Sequence, residues 1–183
     1  MKALQVEGCV IVSADGMLAD AHGDMPASLK FEGDQRWFQS ALDRADIIVH
    51  GRNSFEDQPN SAERKRIILS HSVAALAPDP DNPKATLWNP QGASFEEACA
   101  RAGVTSGIAA IIGGPVVFKM FLERYDRFWL SVASQLYLHD GMSAFGNAGE
   151  LPQQSLAAHG LVLAQTRPLD PEHGVSLTEW RRA

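Results

Sequence analysis

Cysteine is scarce in this chain of 183 residues. There are two, Cys9 and Cys99, in neither a Cys-x-x-Cys pair nor a ligand-spaced cluster. That argues against a disulfide-framed scaffold and a thiolate metal centre. Cys9 sits in an apolar run and reads as a small buried hydrophobe. The six histidines (His22, His50, His71, His139, His159 and His173) form no His-x-His or His-Glu-x-x-His pair, so no metal site is expected. No Gly-x-Ser-x-Gly elbow offers an activated serine. No apolar stretch approaches the roughly 18 residues of a membrane span, and the opening Met1–Gly8 is too polar for a signal peptide. A cytoplasmic protein without membrane contact is expected. Basic residues are outnumbered, 16 Lys and Arg against 22 Asp and Glu for a net charge of −6. A nucleic-acid partner is therefore not expected, although a local basic site for one phosphate remains compatible.

What is present is an ordinary globular composition, 45% hydrophobic and 21% charged, of a length that suits a single domain over residues 1–183. Strand-like runs recur at Cys9–Val12, Ile47–Val49, Ile67–Leu69, Thr86–Trp88, Ala109–Ile112, Phe128–Val132, Leu161–Leu163 and Val175–Thr178. Several are continuous rather than alternating, as expected of strands covered on both faces. Helical segments lie between them. Asp34 can cap a stretch whose apolar face is Trp37, Phe38, Ala41 and Leu42. Ser94 with Glu97 fits a capping box, and Pro115 suits the first position of a helix over 116–123. Residues 14–33 and the proline-rich 77–90 read as loops. The alternation predicts an α/β fold, with antiparallel edge or hairpin strands at the C-terminal end.

Three strand ends carry the candidate chemistry. Ile111-Ile112-Gly113-Gly114-Pro115 leaves a strand through two glycines into a helix, letting a ligand approach the backbone and offering free N–H groups to a phosphate. A tight turn without a ligand explains the same residues. Ile47–Val49 runs through His50 and Gly51 into Arg52-Asn53-Ser54, a cation followed by two neutral hydrogen-bonding groups. The third strand ends at Leu69-Ser70-His71-Ser72. In a parallel sheet such ends meet along one edge, and together they suit a phosphorylated dinucleotide.

With Ser13-Ala14-Asp15-Gly16, Gly51–Glu56, Arg66–Ser70, Ile112–Gly114 and Asp140–Phe145 in this order, the chain resembles the dihydrofolate reductase superfamily. That superfamily includes the reductase domain of the riboflavin-biosynthesis deaminase/reductase. The resemblance covers residues 6–146. It implies a three-layer sandwich: a central, mixed and mostly parallel sheet, helices on both faces, and C-terminal antiparallel strands. It also implies an NADPH-dependent reductase of a small pyrimidine or pterin substrate. On that reading Arg52, Asn53 and Ser54 approach the cofactor's phosphates, and Leu69, Ser70 and His71 lie near the adenosine ribose phosphate. The turn Gly51, Ile112, Gly113, Gly114, Pro115, Val116, Val117 and Phe118 passes the pyrophosphate and nicotinamide. Ala14, Asp15, Gly16 and Ala19 border the nicotinamide. Phe118 stands where folate reductases often carry tyrosine.

Two substrate readings follow from the resemblance. Ser-Ala-Asp-Gly, Asp140-Gly141-x-x-x-Phe145 and, in part, Glu56–Pro59 are similar to the riboflavin-type enzymes, which reduce the ribosyl group of an aminopyrimidine phosphate. This is the leading expectation, and without the zinc-bearing deaminase part it implies a stand-alone reductase. In the alternative, Asp34 precedes Trp37-Phe38 as the pterin-binding carboxylate of folate reductases does, with Ser131 at the position of a threonine linked to it. Met25-Pro26 fits that reading, but Ala27 replaces the tryptophan expected next. Asp34 is then catalytic with Ser131, or only a helix cap. A non-catalytic nucleotide-binding protein on the same scaffold is the reading from another class. The C-terminal strands could also pair across a two-fold axis into a homodimer.

Overall fold

The computed structural model describes residues 3–183. Its main sheet has nine strands: β1 (Leu4–Ser13), β3 (Ile47–Gly51), β4 (Arg66–Leu69), β5 (Leu76–Pro78), β6 (Ala85–Trp88), β7 (Gly107–Gly113), β8 (Arg127–Ala133), β10 (Leu161–Asp170) and β11 (Val175–Arg182). Their spatial order is β10-β11-β8-β1-β7-β3-β4-β6-β5. The six from β8 to β6 run parallel. Strand β5 and the β10–β11 hairpin add antiparallel edges. Two short strands, β2 (Met17–Ala19) and β9 (Met142–Ser143), pair separately.

The continuous apolar runs are explained by helices on both faces. Ile47, Val49, Ala109 and Ile111 face one core, with residues from α2 (Phe95–Arg101), α3 (Pro115–Met120) and α4 (Pro152–Ala158). The residues between them, Ile48 and Ala110, face Phe38 and Leu42 of α1 (Glu32–Arg44) on the other side. A strand with both faces covered has no polar phase to show. The packing of α1 depends on Gly33, where a Cβ would stand 2.2 Å from the backbone oxygen of Leu169 in β10.

The predicted strands all form, as do the Ser94–Glu97 capping box and Pro115 at the start of α3. Three expectations are corrected. Helix α1 begins at Glu32 behind Phe31, whose side chain caps nothing, so Asp34 lies inside the first turn and is not the cap. The 14–33 loop contains β2 and a 3-10 turn at Ala27–Leu29, and the 77–90 loop contains all of β6. Helix α3 ends at Met120, three residues short of the predicted limit.

Candidate functional site

The carboxyl ends of β7, β3 and β4 are neighbours along one edge of the sheet. At the end of β7, Gly113 adopts φ +118°, which favours glycine. A Cβ on Gly51 would lie 3.9 Å from both the Gly113 oxygen and the Gly114 nitrogen, and one on Gly114 would lie 3.2 Å from Ser54 Oγ. The two glycine turns thus leave bare backbone between them, bordered by Ser54. Pro115 opens α3, and Val116 is exposed beside it. Helix α3 has only six residues, so an anion here would depend on close backbone approach more than on a helix dipole. Val117 is buried in the core and supports Gly51 from below.

One strand further, Arg52 Nη2 donates to Ser72 Oγ at 2.7 Å, and Ser72 shares a 2.7 Å hydrogen bond with the buried Ser70. An exposed guanidinium and two hydroxyls therefore stand together at the ends of β3 and β4. Leu69 closes β4 beneath them. Ser72 is the partner that sequence reasoning passed over in favour of its neighbour. His71 is exposed and joins no hydrogen bond among the described residues.

Beside these turns is a cavity of about 440 Å³. Of the sequence-selected residues it gathers Ala19, Asp34, Asn53, Ser54, Ile112 and Phe118, with Trp37, Phe38 and Phe55 as further aromatic walls. The first turn of α1 carries Asp34 to this wall, where it is only 4% exposed. Burial pushes its carboxyl up to about 6, an effect that the nearby Ser131 hydroxyl partly offsets. Ser131, on β8, is itself buried and in no hydrogen bond of full geometry. No donor among the described residues satisfies the Asp34 carboxylate with full hydrogen-bond geometry. A buried acid without a fixed partner, facing a cavity, can bind a ring N–H edge and hold or release a proton near neutral pH.

The Ser13–Gly16 segment is a tight turn instead of a cavity wall. Asp15 Oδ1 accepts from Ser13 Oγ at 2.5 Å and from the Leu138 amide at 3.0 Å, and Ala14 N donates to Leu136 O at 2.7 Å. Gly16 turns the chain at φ +84° into β2, which pairs with β9 from the Asp140–Phe145 segment. The turn therefore places Ala19 at the cavity, while Ala14, Asp15 and Gly16 serve its anchoring.

A buried ionic network supports the opposite wall and was missed by sequence reasoning. Glu56 pairs with Arg66 and, at 3.0 Å, with Arg64, which also reaches Asp43 at 2.7 Å. Arg66 lies 4.5 Å from the centre of the Phe55 ring and 3.4 Å from His50 Nε2. His50 Nδ1 lies 2.7 Å from Gly51 O. Burial lowers the pKa of His50, with the Arg66 charge adding to the effect. The signal was Arg66 at the head of an apolar strand with Glu56 ten residues earlier. This is a separation across a loop that no local periodicity exposes. No cluster of His, Cys, Asp and Glu suited to a metal occurs among the described residues, and no helix is long and apolar enough to cross a membrane.

No protein-family model matches the sequence, and no curated protein matches it. Solved structures do. A diaminohydroxyphosphoribosylaminopyrimidine deaminase/5-amino-6-(5-phosphoribosylamino)uracil reductase from Thermotoga maritima superimposes over 99% of this chain with a TM-score of 0.69 and 14% identity. This chain spans 57% of that protein's length. Dihydrofolate reductase from Enterococcus faecalis, complexed with NADP(H) and RAB-propyl, superimposes over 97% of this chain and 96% of its own, with a TM-score of 0.66 and 20% identity. The fold is dihydrofolate-reductase-like. A Shewanella sp. PV-4 chain described as a riboflavin biosynthesis protein shares this dihydrofolate-reductase-like fold, with a TM-score of 0.66 and 19% identity over 98% of this chain and 99% of its own.

Proposed function

We propose that the chain is an NADPH-dependent reductase that delivers hydride to a flat nitrogen heterocycle of the pterin class. The observation that carries this reading is Asp34, a buried carboxylate without a fixed partner, facing an aromatic-walled cavity beside bare glycine backbone.

The strand-end residues fit the cofactor. The absence of side chains at Gly113 and Gly114 leaves room for a pyrophosphate, and Ser54 and Asn53 can donate to it. Arg52, Ser70 and Ser72 form a cation-and-hydroxyl group suited to the additional ribose phosphate that distinguishes NADPH from NADH. The cofactor supplies the hydride when bound. Asp34 holds the N–H edge of the heterocycle and keeps a proton available at a ring nitrogen as the neighbouring atom is reduced. The Ser131 hydroxyl lies near the Asp34 carboxyl and can donate to it, while Phe118, Phe55 and Trp37 exclude water and stack on the ring.

The riboflavin-type reading retains its support in the Thermotoga maritima likeness. Asp34 favours a pterin-like ring, because a carboxylate that binds paired N–H donors has no evident use against a ribosyl group. The test is a panel of dihydrobiopterin, dihydrofolate and the ribosylaminopyrimidine phosphate, each assayed for NADPH oxidation. Reduction of a pterin supports the reading. Reduction of the phosphoribosyl compound alone shifts it to the riboflavin type, and binding of NADPH without any turnover favours a non-catalytic nucleotide binder.

A further inference from the structure

We infer that the substrate carries no phosphate or carboxylate: the cavity is built for an uncharged or cationic heterocycle, with Asp24 and Asp57 at its rim acting against anionic ones. This rests on the reductase reading and deepens it.

The charge of the cavity wall is predominantly negative. Among the described residues four acids line it, Asp24, Asp34, Glu56 and Asp57, against one cation, Lys30. No arginine is among the lining residues. Glu56 is balanced from behind by Arg64 and Arg66, so those arginines are committed and turn no free charge toward a ligand. Asp24 and Asp57 are exposed and joined to no cation among the described residues. Lys30 is exposed too, and it lines the same cavity as Asp24, Asp34 and Asp57.

Recognition of a phosphate or a pair of carboxylates needs fixed, forked or clustered donors. Here one flexible ammonium stands among three uncompensated acids. Like charges at a binding site act as a repulsive element against the wrong ligand, and they do so even when the attractive contacts to the ring are unchanged. The deep wall, by contrast, offers what a neutral ring needs. Asp34 is buried without a fixed partner, beside aromatic faces for stacking. Asp34 thus selects the ring and the rim acids select against its substituents.

The experiment uses two probes with the same 2,4-diaminopteridine ring. One bears a neutral hydroxymethyl group, and the other is methotrexate, with a glutamate tail carrying two carboxylates. Each is titrated, by intrinsic tryptophan fluorescence and calorimetry, into the protein saturated with NADPH and into the protein alone. The neutral probe should bind more tightly by about tenfold or more at low salt. The gap should shrink in 0.5 M salt and in Asp24→Asn/Asp57→Asn through tighter methotrexate binding. Asp34→Asn should weaken both probes alike. Methotrexate binding as tightly as the neutral probe, or more so, would overturn the inference, as would failure of both probes to bind. Failure of NADPH to bind, in its own titration, would instead remove the cofactor reading, and the probe pair on the protein alone still decides the charge question.

Discussion

Asp34, in its proposed role, serves the candidate site at the expense of the fold. Its ordinary carboxyl value of 3.8 is raised to about 6 by burial. A raised native value means that the folded state binds a proton more readily than the unfolded chain does. Stability is then lost as pH rises from about 4 to 6, and the charged form costs up to about 3 kcal/mol above that window. Asp34→Asn removes the charge. Thermal melts should show the variant gaining on the parent between pH 4 and pH 7.5, with the difference small at the acid end. A constant difference across that range would show that the carboxyl is not perturbed. If Asp34 were a helix cap, asparagine would be neutral at every pH. The cap reading failed because the helix starts two residues earlier behind Phe31, and a sequence shows a polar residue near a helix start without showing which turn it occupies. At the cofactor end, Arg52→Ala should narrow an NADPH preference over NADH of about tenfold or more, since each charge-assisted hydrogen bond is worth about 1.5–3 kcal/mol. Calorimetric titration of both nucleotides measures it.

Among the elements, the β7–α3 turn and the β3–β4 connection have opposite roles. Gly114 has an ordinary φ of −80°, so an added Cβ meets Ser54 but strains no backbone. Gly114→Ala should keep the parent's melting temperature within a few degrees and lose NADPH affinity by more than about tenfold. Unchanged affinity would make the turn merely structural. The β3–β4 connection depends on Glu56. Glu56→Ala leaves Arg64 and Arg66 buried without their shared anion, a loss of about 3–5 kcal/mol readable by urea unfolding. The β-strands were legible because burial on both faces writes itself as unbroken apolar runs. The Glu56–Arg64–Arg66 network was not, because its partners meet only when the loop folds back. Helix α4 was also passed over: seven residues, Pro-Gln-Gln-Ser-Leu-Ala-Ala, give too short a window for a 3.6-residue period to stand out.

At the scale of the whole molecule, the sheet order brings β7, β3 and β4 side by side although β5, β6 and α2 lie between β4 and β7 along the chain. That order, implied by the family resemblance, converts three weak strand-end signals into one edge. The cavity wall was less legible. Asp24 and Lys30 lie between β2 and α1 and Asp57 lies after β3, and nothing in their local sequence marks them as neighbours. If the edge binds NADPH, then ligand at about 100 times its dissociation constant should add about 2.7 kcal/mol to stability. For a chain of this size that is a rise in melting temperature of roughly 5–10 °C. NADH at equal concentration should give a smaller rise, and equal shifts would contradict the phosphate-binding role of Arg52, Ser70 and Ser72.

The most direct test of the account is the steady-state oxidation of NADPH by dihydrobiopterin, measured for the parent and for Asp34→Asn alongside NADPH titrations. The parent should turn over, the variant should lose about 10²-fold or more, and NADPH affinity should be the same in both. Full turnover by the asparagine variant, or no turnover of dihydrobiopterin by a parent that binds NADPH, would contradict it.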